Sequence, residues 1–153
     1  MKVSILEQSV SVEGKPQSVT IKDSINLAKK AEKLGYKRFW VSEHHNHPTI
    51  IGTAPEILMA AIACNTSSIR IGSAGIMLPH YSPLKVAEQF RVLEAIAPNR
   101  IDLGLGRAPG SDGRTALALN PNSRSDSEHF PSHVRDLIAW VCLLYTSDAA
   151  DDP

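Results

Sequence analysis

Short runs of β-branched and aromatic residues alternate along this chain with longer stretches in which apolar residues recur every three or four positions. The short runs predict strands over residues 2–6, 38–42, 69–74 and 101–105. The longer stretches predict helices between them. Over residues 20–34, Ile21, Ile25, Leu27, Ala28, Ala31 and Leu34 form a broad apolar face, and Gly35 stands where a left-handed cap is wanted. Thr53-Ala54-Pro55-Glu56 has the spacing of a capping box and opens a helix to about residue 65. Ser82-Pro83 opens the next, whose stripe is Val86, Phe90, Leu93 and Ala97 and which Pro98-Asn99 stops. A loop rich in Gly, Pro, Ser and Asn spans about 107–126, with one helical turn at 114–119. A last helix starts near residue 127 with Phe130, Val134, Leu137 and Val141 in line.

Strand starts fall about 30–35 residues apart, the length of one βα unit. Strict alternation of this kind means a parallel sheet covered by helices. Two architectures fit. An open doubly wound sheet of four strands needs no more chain than this. Yet no Gly-x-Gly-x-x-Gly turn follows the first strand, and Leu103-Gly104-Leu105-Gly106 opens no immediate helix. A (β/α)8 barrel fits the alternation equally well but takes about 250 residues, so 153 residues would supply its N-terminal half, about four βα units.

Charge narrows the classes of partner. Sixteen Lys and Arg balance sixteen Asp and Glu, so no basic field holds nucleic acid or an anionic membrane. No apolar run reaches the length of a transmembrane helix. Cys64 and Cys142 form no C-x-x-C pair and no disulfide framework, which points to a reducing, cytoplasmic setting. Cys64, on a helix near apolar residues, is expected to be inert packing.

Loops that follow strand C-terminal ends open on one face of a parallel α/β fold, and ligands bind there. Here those loops are Glu43-His44-His45-Asn46-His47, Pro79-His80-Tyr81 and Arg107-Ala108-Pro109-Gly110-Ser111-Asp112. They bring four of the six histidines and an arginine to one mouth. The opposite face carries only caps and turn residues. Three readings of the histidines stand side by side: ligands of a metal, structural partners of backbone carbonyls, or one proton donor or acceptor working near neutral pH. Neighbours on a strand end point to opposite sides, so His44 and His45 do not easily share one ion, and no H-E-x-x-H pattern is present. Trp40, Ser42 and His44 share one side, while Val41, Glu43 and His45 share the other. Arg107, among Gly104, Gly106 and Gly110, either presents its planar fork to a phosphate or pairs with Asp112 or Asp102.

Trp40-Val41-Ser42-Glu43-His44-His45, Gly72-Ser73-Ala74-Gly75-Ile76-Met77-Leu78-Pro79 and Gly104-Leu105-Gly106-Arg107 together resemble the luciferase-like, flavin-dependent monooxygenase family. Pro83-Leu84-Lys85-Val86-Ala87-Glu88-Gln89 and Asn99-Arg100-Ile101 match it as well, and Gly106–Gly110 resembles a Gly-Arg-Ala-Pro-Gly subgroup. The resemblance covers about residues 1–140. It implies a TIM barrel that binds reduced FMN, or a deazaflavin in some branches, and oxidises a small organic substrate with O2. By the same resemblance His44 is the active-site histidine, a candidate general base. Ala74 and Gly75 lie under the isoalloxazine ring, on a peptide that is cis in some members, and Arg107 contacts the flavin phosphate. Gly106 stands where bacterial luciferase has a reactive thiol, so the resemblance does not extend to light emission. The family also implies a dimer and reduced flavin supplied by a flavin reductase or NAD(P)H. No metal is implied. A metal-dependent barrel hydrolase using His44, His47 and His80, and a non-catalytic flavin-binding half-barrel that pairs with a second copy, are the alternatives.

Residues 1–141 are therefore expected to be a partial barrel, inactive alone. Residues 142–153 resemble translated sequencing-adapter read-through or, failing that, a frayed acidic end.

Overall fold

The computed structural model describes residues 3–148. Four parallel strands form the main sheet: β1 (Ser4–Glu7), β2 (Arg38–Val41), β3 (Arg70–Ser73) and β5 (Ile101–Asp102), in that spatial order. Helix α1 (Gln17–Lys33) links β1 to β2, α2 (Pro55–Ala63) links β2 to β3, and α3 (Pro83–Ile96) precedes β5. The strand order follows the chain order, and right-handed crossovers in sequential order place every helix on one face. Phe39, Val41, Ile71, Met59, Ile62, Val86 and Leu93 fill the space between sheet and helices and are buried. A doubly wound sheet reorders its strands and covers both faces. This sheet does neither; it is the N-terminal half of a (β/α)8 barrel.

The uncovered face is the wall of the barrel interior. Leu6, Trp40, Gly72 and Asp102 lie side by side across it in register. A Cβ on Gly72 would stand 2.5 Å from Trp40 Cδ1, so the indole occupies the space a side chain would need. Trp40 Nε1 donates to Asp102 Oδ2 at 3.1 Å. Asp102 also pairs with Arg70 and Arg38. Burial raises the Asp102 carboxyl, but hydrogen bonds from Arg70 and Trp40 outweigh it and hold the group below its ordinary value.

Several boundaries differ from the sequence pattern. Helix α1 begins at Gln17, three residues ahead of the expected start at Thr20, because Pro16 in extended conformation can start it. Gly35 is the left-handed cap expected, at φ 81°, with its N–H on Glu32 O. The Thr53 capping box does not form; Ala54 caps α2 and no side chain bonds the first turn. Cys64 is exposed at the C-cap of α2 and is not packed inside.

The third and fourth strands each break in two. Beyond β3 the chain passes through a cis Ala74–Gly75 peptide into β4 (Ile76–Met77). Beyond β5 it passes Gly104 into β6 (Leu105–Gly106), which pairs in parallel with β4. The hydroxyl of Ser73 bridges the break, donating to Gly104 O at 2.8 Å and accepting from Gly104 N at 3.0 Å. The expected long loop holds two helices, α4 (Gly113–Leu119), capped by Asp112, and α5 (Ser123–Glu128). Helix α6 (Phe130–Asp148) follows and packs on α3, burying Leu137. The expected foreign tail begins within α6, and its residues 149–153 lie outside the described residues.

Candidate active site

All four residues singled out for the site lie at the C-terminal ends of the strands. His44 follows β2, is half-buried, and places Nδ1 3.3 Å from the Ser42 hydroxyl. Its backbone N–H donates to Gly52 O at 3.0 Å, which ties it to the loop leading into α2. Ala74 and Gly75 form the cis peptide. Here backbone lies directly on backbone: a Cβ on Gly75 would stand 2.7 Å from Leu105 C, and one on Gly104 2.3 Å from Ser73 O. Glycine is the residue that permits this approach of backbone to backbone, while at Gly106 the space is taken by the Met77 thioether, 2.8 Å from where a Cβ would stand.

Arg107 extends from the end of β6 and is exposed. Neither expected acidic partner takes it. Asp102 is occupied by Arg70 and Arg38, and the Asp112 carboxylate accepts from Arg114 N, Thr115 N and the Thr115 hydroxyl. Arg107 instead lines a cavity of about 680 Å3 with Pro109, Leu117, Ser123, Arg124 and Ser127. Arg124 was hidden in the sequence because the stretch around it reads as loop; only the folding of α4 and α5 brings it onto the same cavity as Arg107.

Behind the mouth sits a buried polar cluster. Glu43 is fully buried, and one carboxylate oxygen accepts from Met77 N at 2.9 Å. The other accepts from the Tyr81 hydroxyl and from His45 Nε2, both at 2.6 Å. Burial, then the hydrogen bond to Glu43, push the Tyr81 phenol far above its ordinary range, so it stays protonated and donates. His80 meets the ring of His45 edge-on at 5.7 Å, with Nε2 2.7 Å from Pro109 O. Glu56, at the start of α2, faces the same cluster, and burial together with the Glu43 charge raises its carboxyl.

The histidines thus separate by role. His44 is half-buried against the Ser42 hydroxyl, His45 and His80 are buried on Glu43 and Pro109 O, and His47 Nδ1 accepts from the Thr49 and Ile50 N–H groups. His44, His47 and His80 do not converge on a point. Among the described residues no group of three His, Cys, Asp or Glu is placed to hold a metal ion.

The fold is the N-terminal half of an α/β barrel, the class in which ligand sites lie at the C-terminal ends of the strands. A family model described as luciferase-like monooxygenase matches residues 1–141, and the chain belongs to that family. It is 47% identical over 152 residues to the uncharacterized protein YwcH of Bacillus subtilis (strain 168), covering 99% of this chain and 44% of that protein. Among solved structures, apo-MsnO8 shares 46% identity at a TM-score of 0.85, over 92% of this chain and 42% of the other. The oxygenating constituent of 3,6-diketocamphane monooxygenase from Pseudomonas putida, in complex with FMN, superposes at a TM-score of 0.79. At 22% identity, over 90% of this chain and 38% of the other, that likeness is one of fold. The chain therefore spans under half the length of the relatives it matches.

Proposed function

We propose that residues 1–141 form the N-terminal half of a flavin-dependent monooxygenase that uses reduced FMN and O2 on a small organic substrate. The observation that carries this reading is that Arg107 and Arg124 line one cavity, in the loop region that follows the close-packed Gly75–Gly104 strand junction. The two guanidinium groups would hold a phosphate, and the absence of side chains on Gly75 and Gly104 would let a flat ring lie beside the junction. When bound, reduced flavin supplies the activation of oxygen. The chain's own residues orient and protect: His44, with Nδ1 steadied by Ser42, takes or returns a proton at the mouth, and Trp40 closes the interior below.

Reduced flavin would come from a separate reductase or from NAD(P)H. Exposed free thiols at Cys64 and Cys142 suit the reducing conditions of the cytoplasm. A dimer through the outer faces of α2 and α3 belongs to the same reading. Ile57 and Val92 are exposed there, 68% and 59%, beside Lys85 and Glu88, whose opposite charges let the face complement a second copy of itself.

The test joins residues 1–141 in frame to the C-terminal part of the Bacillus subtilis relative. The fusion should bind FMN and carry no stoichiometric zinc. His44→Ala should retain FMN and lose turnover by about 100-fold or more, and Arg107→Ala should weaken FMN binding by about tenfold. A fusion that binds zinc and no flavin, or a His44→Ala variant at full turnover, would overturn the reading.

A further inference from the structure

We infer that Glu43 is the positioning residue of this site, a buried anchor that locks three separate loops of the mouth into one unit. The inference rests on the site assignment above but is tested without flavin or turnover. Three loops carry the site: the one after β2 bears His44, the segment after β3 bears Ala74, Gly75 and β4, and the one after β6 bears Arg107. None is covalently close to another. Glu43 meets all three. Through its own backbone it belongs to the first, directly before His44. Its carboxylate takes the N–H of Met77, two residues past the cis peptide, and the hydroxyl of Tyr81 beyond it. Its partner His45 donates its backbone N–H to Gly110 O at 3.0 Å, in the third loop, and stacks edge-on against His80, whose Nε2 meets Pro109 O. A Cβ on Gly110, which has φ 63°, would stand 3.2 Å from Glu43 O, so that loop lies directly on this backbone.

The donor arithmetic makes a carboxylate the fitting group. Met77 N, the Tyr81 hydroxyl and His45 Nε2 all point hydrogens at Glu43, one on one oxygen and two on the other. An ionised carboxylate offers acceptors on both oxygens, whereas an amide must turn two N–H donors toward one of these donor sets. It follows that His45 carries its proton on Nε2. Glu43 touches neither the His44 ring nor Arg107, so its effect on both is transmitted through the loops.

The experiment uses the 153-residue chain, labelled with 15N-histidine and followed by hydrogen exchange. In Glu43→Gln, amides in residues 44–47, 74–77 and 107–111 should exchange together, about tenfold faster than in the parent, while those of α1 and of β1–β2 keep their rates. The ring 15N signals of His44 should shift, and those of His129 and His133 should not. Should Glu43→Gln fail to fold, Tyr81→Phe removes one donor and keeps the ring; it should give the same pattern at smaller amplitude. A folded variant in which only residues 74–77 respond, with His44 unmoved, would overturn the inference. So would a parent chain in which His45 lacks the Nε2–H tautomer or the Met77 amide exchanges freely, whatever the variants do.

Discussion

Glu32 shows how one side chain on α1 can set the start of a strand. Its Oε1 accepts from the backbone N–H groups of Ser67, Ser68 and Ile69 and from the Ser68 hydroxyl, just before β3 begins. Burial raises its carboxyl, but those N–H donors outweigh burial and bring it down to about 2. A carboxylate depressed in the folded state stabilises above its unfolded value and loses that contribution as pH falls toward the folded one. Glu32→Gln should therefore cost about 1 kcal/mol at neutral pH, discounted for solvent screening. Urea unfolding of parent and variant should converge between about pH 4.5 and 2. The spacing of residues on α1 marks Glu32 as solvent-facing; nothing local in the sequence announces its partners, which arrive from beyond β2. The same holds for Glu43 and Tyr81, legible as members of a ligand-face loop but not as partners of each other. His44 and Arg107 were legible because strand ends can be read from pattern, and strand ends define the mouth.

At the level of elements, the junction between β3–β5 and β4–β6 is the feature the pattern could not resolve. Residues 69–74 and 101–105 read as continuous strands because apolar and small residues persist through the breaks. What divides them is close backbone approach: Gly104 packs on Ser73 O, and the Ser73 hydroxyl serves both backbone groups of Gly104. Ser73 is 1% exposed, so Ser73→Ala leaves the part-buried Gly104 N–H without its partner, while Gly104 O keeps the Ile76 N–H at 2.9 Å. The expected cost is about 1–3 kcal/mol, read as a lower urea midpoint at unchanged slope. If the variant matches the parent, the hydroxyl bridge is not what holds the junction. Helices α4 and α5 were legible only in part. Asp112 is a good cap and α4 was glimpsed as a turn, whereas α5, built from Ser, Arg, Asp and Glu, has no apolar stripe to betray it.

Over the whole molecule, one face of the sheet is covered and the other is not. Leu6 is 57% exposed on the interior wall, and Val10 and Val12 stand open at 51% and 54% beside β1. Strands β1 and β5 have free outer edges among the described residues, and unpaired edges with apolar neighbours invite pairing between chains. The 153-residue chain should self-associate on sizing chromatography, increasingly with concentration, and bind FMN weakly, since its sheet walls only one side of a barrel mouth. A monomer that is yellow on purification would contradict both expectations. No helix among the described residues is long and apolar enough to cross a membrane. The sequence by itself determined the βα rhythm, the parallel sheet and the ligand face with its histidines and Arg107, because periodicity and turn chemistry are local; His44, Ala74 and Gly75 were singled out by family resemblance. It left a doubly wound sheet and a half-barrel equally open on pattern alone. Tertiary structure decided between them, since strand order and the sidedness of the helices depend on contacts between distant segments. The same contacts, and nothing local, brought Arg124 and Arg107 onto one cavity and joined Glu43 to Met77 and Tyr81.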